Sequence, residues 1–210
     1  MLKAAEELDL PKPWYLVGIS MGACIGLRAM LEGLPVAASA LISPMFSIKM
    51  SPIQRMAAWP LSWAAQKSGM GHKYVPGESG EIYMLTTPFE KNNLTHNADM
   101  YGYWVDQARA VPDLQIGGPS IGWLYQGLSE CRSLSKMRSP DVPCITFCGE
   151  LDELVDNGAI KDRMEKWPNG EFVMIQNAKH DVLTEIPEIG GDVVDQIVGL
   201  FSSIKAVGST

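Results

Sequence analysis

Three side chains in this sequence have the types and the order needed to turn a hydroxyl into a nucleophile: Ser20, Asp152 and His180. A serine hydroxyl attacks a carbonyl carbon poorly at neutral pH. It needs a base to take its proton and a carboxylate to orient that base and stabilise its charged form. Ser20 is the centre of Gly18-Ile19-Ser20-Met21-Gly22, a G-x-S-x-G pentapeptide, with apolar Trp14-Tyr15-Leu16-Val17 before it and a small apolar run from Ala23 to Leu31 after it. Strand, sharp turn and helix is the setting in which this pentapeptide strains the serine backbone and pushes the hydroxyl out at the sheet end. Gly18 and Gly22 are both expected to be small for a steric reason, since a side chain at either would hold the helix away from the strand.

The other two groups must then arrive on loops that leave strand ends, in the order acid and then histidine. Pro143-Cys144-Ile145-Thr146-Phe147-Cys148 has the pattern of a buried strand and runs into Gly149-Glu150-Leu151-Asp152. Asp152 is the expected acid. Glu150, Glu153 and Asp156 surround it, with Asp156 the rival for the role. The next strand pattern, Glu171 to Ile175, is followed by Gln176-Asn177-Ala178-Lys179-His180, so His180 is the expected base. His72 and His96 fall in segments that do not end strands. In open α/β sheets the chemistry collects beyond the carboxyl ends of the strands, where three such loops converge.

The stretches Gly18 to Gly22, Gly149-Glu150-Leu151-Asp152-Glu153-Leu154-Val155 and Ala178-Lys179-His180-Asp181-Val182-Leu183-Thr184-Glu185 resemble the three catalytic stretches of α/β-hydrolases of the lysophospholipase and monoacylglycerol lipase group. Ile116-Gly117-Gly118-Pro119-Ser120-Ile121-Gly122-Trp123 is similar to the cap of bacterial lysophospholipase-like members. The resemblance implies an α/β fold, a mostly parallel sheet with helices on both faces and a helical cap insertion. It implies a serine esterase that needs no cofactor and acts on an apolar or amphiphilic ester. A serine in the nucleophile position disfavours the epoxide-hydrolase and dehalogenase branches, which use a carboxylate there, while amidase or peptidase activity stays open on the same scaffold.

In that family the elbow strand is the fifth of about eight, so the resemblance also implies that the earlier strands are absent here. One oxyanion donor is the Met21 amide. The second belongs to a family segment with no counterpart in this sequence, and losing one such donor costs about a hundredfold or more in rate. The elbow strand would then be an unpaired edge able to meet another chain. The alternative reading is therefore a truncated, noncatalytic hydrolase fragment that binds an apolar ligand or a complementary chain.

The 210 residues, 46% hydrophobic and 20% charged, suffice for one substantial core. A net charge of −7 and a pI near 5.0 argue against a nucleic-acid partner, which needs clustered Lys and Arg. Cys24, Cys131, Cys144 and Cys148 sit in apparent helices or a strand and read as small buried hydrophobes with no metal-site pattern. No signal peptide and no apolar run long enough to span a bilayer is evident, so a reducing cytoplasm fits best, with peripheral membrane contact left open.

The expected core comprises residues 1–44 and 137–210, with residues 45–136 as the cap. Leu2 to Leu8 reads as a helix ended by Pro11 and Pro13, and Val36 to Ser43 as a parallel strand buried on both faces. Within the insertion, Ser51-Pro52 starts a helix that Pro60 should kink or divide. A second helix is expected from Asn97 to Val111 with Met100, Trp104, Ala108 and Val111 on one stripe, and a third opens at Pro119-Ser120. The Met and aromatic residues of the whole insertion would suit an acyl chain. A helix from Asn157 to Trp167 and a last one from Ile189 to Ile204, with Val193, Val194, Ile197, Leu200 and Phe201 on its covering face, complete the alternation.

Overall fold

The computed structural model describes residues 2–204. Helix α1 (Leu2–Glu7) leads to strand β1 (Tyr15–Ile19), helix α2 (Met21–Leu31) and strand β2 (Ala38–Ile42). Helices α3 (Pro52–Lys67), α4 (Tyr83–Thr86), α5 (Ala98–Ala110) and α6 (Ile121–Leu134) follow before strand β3 (Cys144–Gly149). Helix α7 (Asn157–Met164), strand β4 (Gly170–Ile175) and helix α8 (Pro187–Ser203) close the chain. Of the expected core segments, residues 1 and 205–210 lie outside the described residues.

All four strands run parallel in the order β1-β2-β3-β4. β2 and β3 are buried along their whole length, as strands covered on both faces should be. Their side chains alternate between two cores. Leu41, Cys144 and Cys148 meet α2 and α7 through Ala23, Leu27 and Ile160, while Ala40, Ile42, Ile145 and Phe147 meet Val193 and Ile197 of α8. β1 is an edge among the described strands, and its Val17 and Ile19 are exposed.

Local signals set several helix starts. Ser51 forms a capping box with Gln54 at the head of α3, and Asn97 and Ser120 accept backbone N–H bonds at the heads of α5 and α6. Two expectations are narrowed by solvent. Pro60 lies inside a continuous α3 without dividing it, and the Met56 carbonyl it leaves unpaired belongs to an exposed residue, where water can satisfy it. Val111 of the α5 stripe and Val194 of the α8 stripe are exposed, and the buried aromatic of α5 is Tyr101 instead. The Arg163 guanidinium closes the far end of α6 by donating to the Leu134 carbonyl, and it also donates to Ser139 Oγ at 3.1 Å.

Candidate active site

Ser20 sits between β1 and α2 with φ 51° and ψ −116°, a left-handed conformation that strains any residue with a Cβ. Three backbone bonds hold it there. Its N–H donates to the Ile42 carbonyl at 2.8 Å, and its own carbonyl accepts from Cys24 at 3.2 Å and Met45 at 3.0 Å.

The tight turn depends on Gly18, where a Cβ would lie 2.8 Å from the Ala23 Cα. Gly22 does not share that duty: a Cβ there would meet nothing within 4 Å, because this face of the helix start points to solvent. The second close approach is at Gly26, one turn further on, where a Cβ would come 2.8 Å from Leu16 Cδ2. Gly18→Ala is therefore expected to destabilise the fold by about 1–3 kcal/mol through overpacking. Gly22→Ala should be neutral or stabilising by up to about 1 kcal/mol, from helix propensity. Thermal unfolding of the two variants side by side checks this, and equal losses would show that both glycines are packed.

Asp152 and His180 meet. Asp152 Oδ2 lies 2.7 Å from His180 Nδ1, and both residues are buried. The other oxygen, Oδ1, accepts from the Leu154 amide at 2.8 Å and the Val155 amide at 3.2 Å, so one oxygen builds the acid's own turn while the other faces the imidazole. An ionised carboxylate can only accept, which puts the imidazole proton on Nδ1 and leaves Nε2 as the basic nitrogen. Burial pushes the Asp152 carboxyl up, but the hydrogen bond and charge of His180, together with the two amides, outweigh it and hold the group below its usual range.

Asp156, the rival acid, is occupied elsewhere. Its side chain caps α7 by accepting from Gly158 and Ala159 and pairs with Arg55 at 2.9 Å.

The loops carrying these groups are fastened to one another at the carboxyl ends of the strands. A Cβ on Gly149 would collide with the Lys179 and Ala178 carbonyls, so only glycine lets the loops after β3 and β4 come together. Ser43, next to the Ile42 that holds Ser20, donates its hydroxyl to the His180 carbonyl at 2.5 Å. Lys49 Nζ donates to the Asp152 carbonyl at 2.6 Å. Ser43 and Lys49 were not anticipated. The only sequence sign of the first was the abrupt Ser43-Pro44 ending of β2.

No hydrogen bond joins the Ser20 hydroxyl to the imidazole among the described residues, where the ring bond is the one from Nδ1 to Asp152. In substrate-free hydrolases that bond is often long and tightens on binding. The Met21 N–H heads α2, where helix geometry supplies no carbonyl acceptor. The Met21 side chain is touched from above by Trp123 of α6, whose Nε1–H lies 3.3 Å from Sδ. The structure thus places a carboxylate against an imidazole, and the loop that carries the imidazole is joined through Ser43 to the strand end that holds the strained Ser20.

Comparison with known proteins supplies the family. Residues 1–187 match the family described as Hydrolase_4, serine aminopeptidase S33. A probable lysophospholipase L2 from Haemophilus influenzae is 26% identical over 130 residues, covering 61% of this chain and 41% of that protein, so the match spans less than half of the relative's length.

Among solved structures, a soluble variant of monoglyceride lipase from Saccharomyces cerevisiae, in complex with a substrate analogue, superposes with a TM-score of 0.70 at 15% identity. It covers 99% of this chain and 67% of that one. A monoacylglycerol lipase from Paleococcus ferrophilus gives 0.70 at 17% identity, with 97% and 72% covered. A carboxyl esterase from Bacillus coagulans gives 0.66 at 14% identity, with 97% and 68% covered. These likenesses establish an α/β-hydrolase fold, and the match over residues 1–187 places the chain in the Hydrolase_4, serine aminopeptidase S33 family.

Proposed function

We propose that this chain is a serine hydrolase of carboxylic esters, of the lysophospholipase or monoacylglycerol lipase kind, with Ser20 as nucleophile, His180 as base and Asp152 as its orienting acid. The observation that carries the reading is the buried 2.7 Å contact between Asp152 Oδ2 and His180 Nδ1, on a loop that Ser43 ties to the strand end holding the strained Ser20 turn. In this mechanism Ser20 Oγ attacks the ester carbonyl while His180 Nε2 takes its proton, and the Met21 amide donates to the developing oxyanion. The imidazolium returns the proton to the leaving alcohol. Water, activated by the same nitrogen, then releases the acid from Ser20.

Residues 45–136 act as the cap. An apolar acyl substrate is supported by the cap's side chains near the elbow, with Trp123 against Met21, and by the apolar residues Ile53, Met56, Leu61 and Trp63 exposed on α3. The lysophospholipase, monoglyceride lipase and esterase names of the similar proteins point the same way. Among the described residues no helix is long and apolar enough to cross a membrane.

The test is turnover of a short-to-long p-nitrophenyl ester series beside an aminoacyl p-nitroanilide, with the folded fraction measured. Ester turnover that depends on Ser20 supports the reading. Preference for the anilide would move the assignment to the peptidase chemistry of the family description. No turnover of either by folded protein would favour the noncatalytic reading.

A further inference from the structure

Glu185 is a carboxylate with no exposed side-chain surface, and the mechanism above does not use it. Its Oε1 accepts from the Lys179 amide at 2.9 Å and from His96 Nδ1 at 3.0 Å. Its Oε2 accepts from the His96 amide at 2.9 Å and the Ile186 amide at 3.3 Å. Two of these donors flank His180 on its own loop, and two belong to a residue of the insertion. Burying a carboxylate costs several kcal/mol unless donors answer it, and here four N–H groups from two segments do so.

Further bonds run between the same two segments. Thr95 Oγ1 donates to the Thr184 carbonyl at 2.9 Å, Lys179 Nζ to the Asn92 carbonyl at 2.7 Å, and Asn97 Nδ2 to the Glu185 carbonyl at 3.1 Å. The Asp181 amide donates to the Leu94 carbonyl at 2.9 Å, and the His180 amide points at the Asn93 carbonyl at 3.4 Å. The backbone on both sides of His180 is thus held by residues 92–97. No strand ladder does that work, because β4 ends at Ile175 and α8 does not begin until Pro187.

We propose that Glu185 is a positioning residue: by clamping the 92–97 segment to the loop after β4 it sets the orientation of His180 and ties it to the seating of the insertion. This rests on the reading of His180 as the base.

The test compares Glu185→Gln, His96→Ala and His96→Asn in the full chain. The readouts are kcat and KM for p-nitrophenyl butyrate, the ring nitrogen shifts of His180, and the hydrogen-exchange rate of the Asp181 amide. Glu185→Gln turns one accepting oxygen into a donor facing N–H groups, and kcat is expected to fall about ten- to a hundredfold with KM nearly unchanged. His96→Ala should lower kcat about three- to tenfold, shift the His180 ring nitrogens and speed Asp181 exchange. His96→Asn offers an N–H near the Nδ1 position and should recover most of these losses.

The His96 side chain is 41% exposed, so this pair is expected to fold even if Glu185→Gln does not. The proposal is overturned if the variants lower Tm alone, or if His96→Ala leaves the His180 shifts and Asp181 exchange at wild-type values. If the wild-type chain turns over no ester, the reading of His180 as base fails separately. The ring shifts and amide exchange then still decide whether the clamp holds the loop.

Discussion

Replacing Ser20 with alanine is expected to lower ester turnover at least about a thousandfold while leaving the fold intact. In a fully equipped hydrolase, loss of the nucleophile costs on the order of a millionfold in kcat. With the Met21 amide as proposed oxyanion donor, oxyanion binding persists without the nucleophile and part of the rate enhancement survives, so the measurable drop is smaller than that. A companion variant separates chemistry from stability. Ser20 holds φ 51°, so Ser20→Gly should relieve strain and raise the unfolding free energy by about 1 kcal/mol or more, while abolishing turnover just as alanine does. Loss of activity together with a gain in Tm is a pattern that unfolding cannot produce. Full activity in either variant would remove Ser20 from the mechanism.

Asp152→Asn should cost about ten-thousandfold in kcat, because the amide presents N–H where His180 Nδ1 needs an acceptor and so turns the imidazole to the wrong tautomer. Asp156→Asn is the matched control. It weakens a helix cap and an exposed ion pair, which predicts a loss of about 1 kcal/mol or less and near-normal kcat. Equal kinetic losses in the two would return Asp156 to contention.

The same substitution has a signature in pH. The Asp152 carboxyl is held below its usual range in the folded chain. Its ionised form therefore contributes stability above the ordinary aspartate pKa of about 3.9, and that contribution is lost as pH falls through the lowered folded value. Acid unfolding of wild type should steepen in that window, and Asp152→Asn should flatten it. Parallel acid limbs in the two proteins would show that the pair adds nothing to stability.

What the sequence disclosed and what it withheld divide along the range of the interactions. Ser51, Asn97 and Ser120 cap helices within three residues of themselves, and the full burial of β2 follows from an apolar run without alternation, so both were legible. The meeting of Asp152 with His180 followed from chain order and strand ends. Gly22 was misjudged because a pentapeptide does not say which way a missing Cβ would point, and the packing duty falls on Gly26 instead. Asp156 could not be set aside until Arg55, far away in sequence, was seen to face it. The roles of Ser43 and Glu185 were not legible, since the Ser43-Pro44 break and the Glu185 stretch do not name the His180 carbonyl or the His96 groups that the fold delivers to them from far along the chain.

The placement of the insertion also governs the order in which this molecule can assemble. β1 pairs with β2 across a short crossover, as β3 does with β4, whereas Ser39 of β2 must find Cys144 of β3. A loop about four times longer adds only about 1 kcal/mol of closure entropy, so the long crossover is affordable at equilibrium but slow to form relative to its local neighbours. Each local unit holds part of the proposed machinery: Ser20 lies in the first, and Asp152 and His180 in the second. Neither unit has a complete site. Turnover on refolding should therefore return only with the β2–β3 pairing, lagging the recovery of helical signal in a stopped-flow experiment. Simultaneous recovery of both would mean that the two halves of the sheet nucleate together.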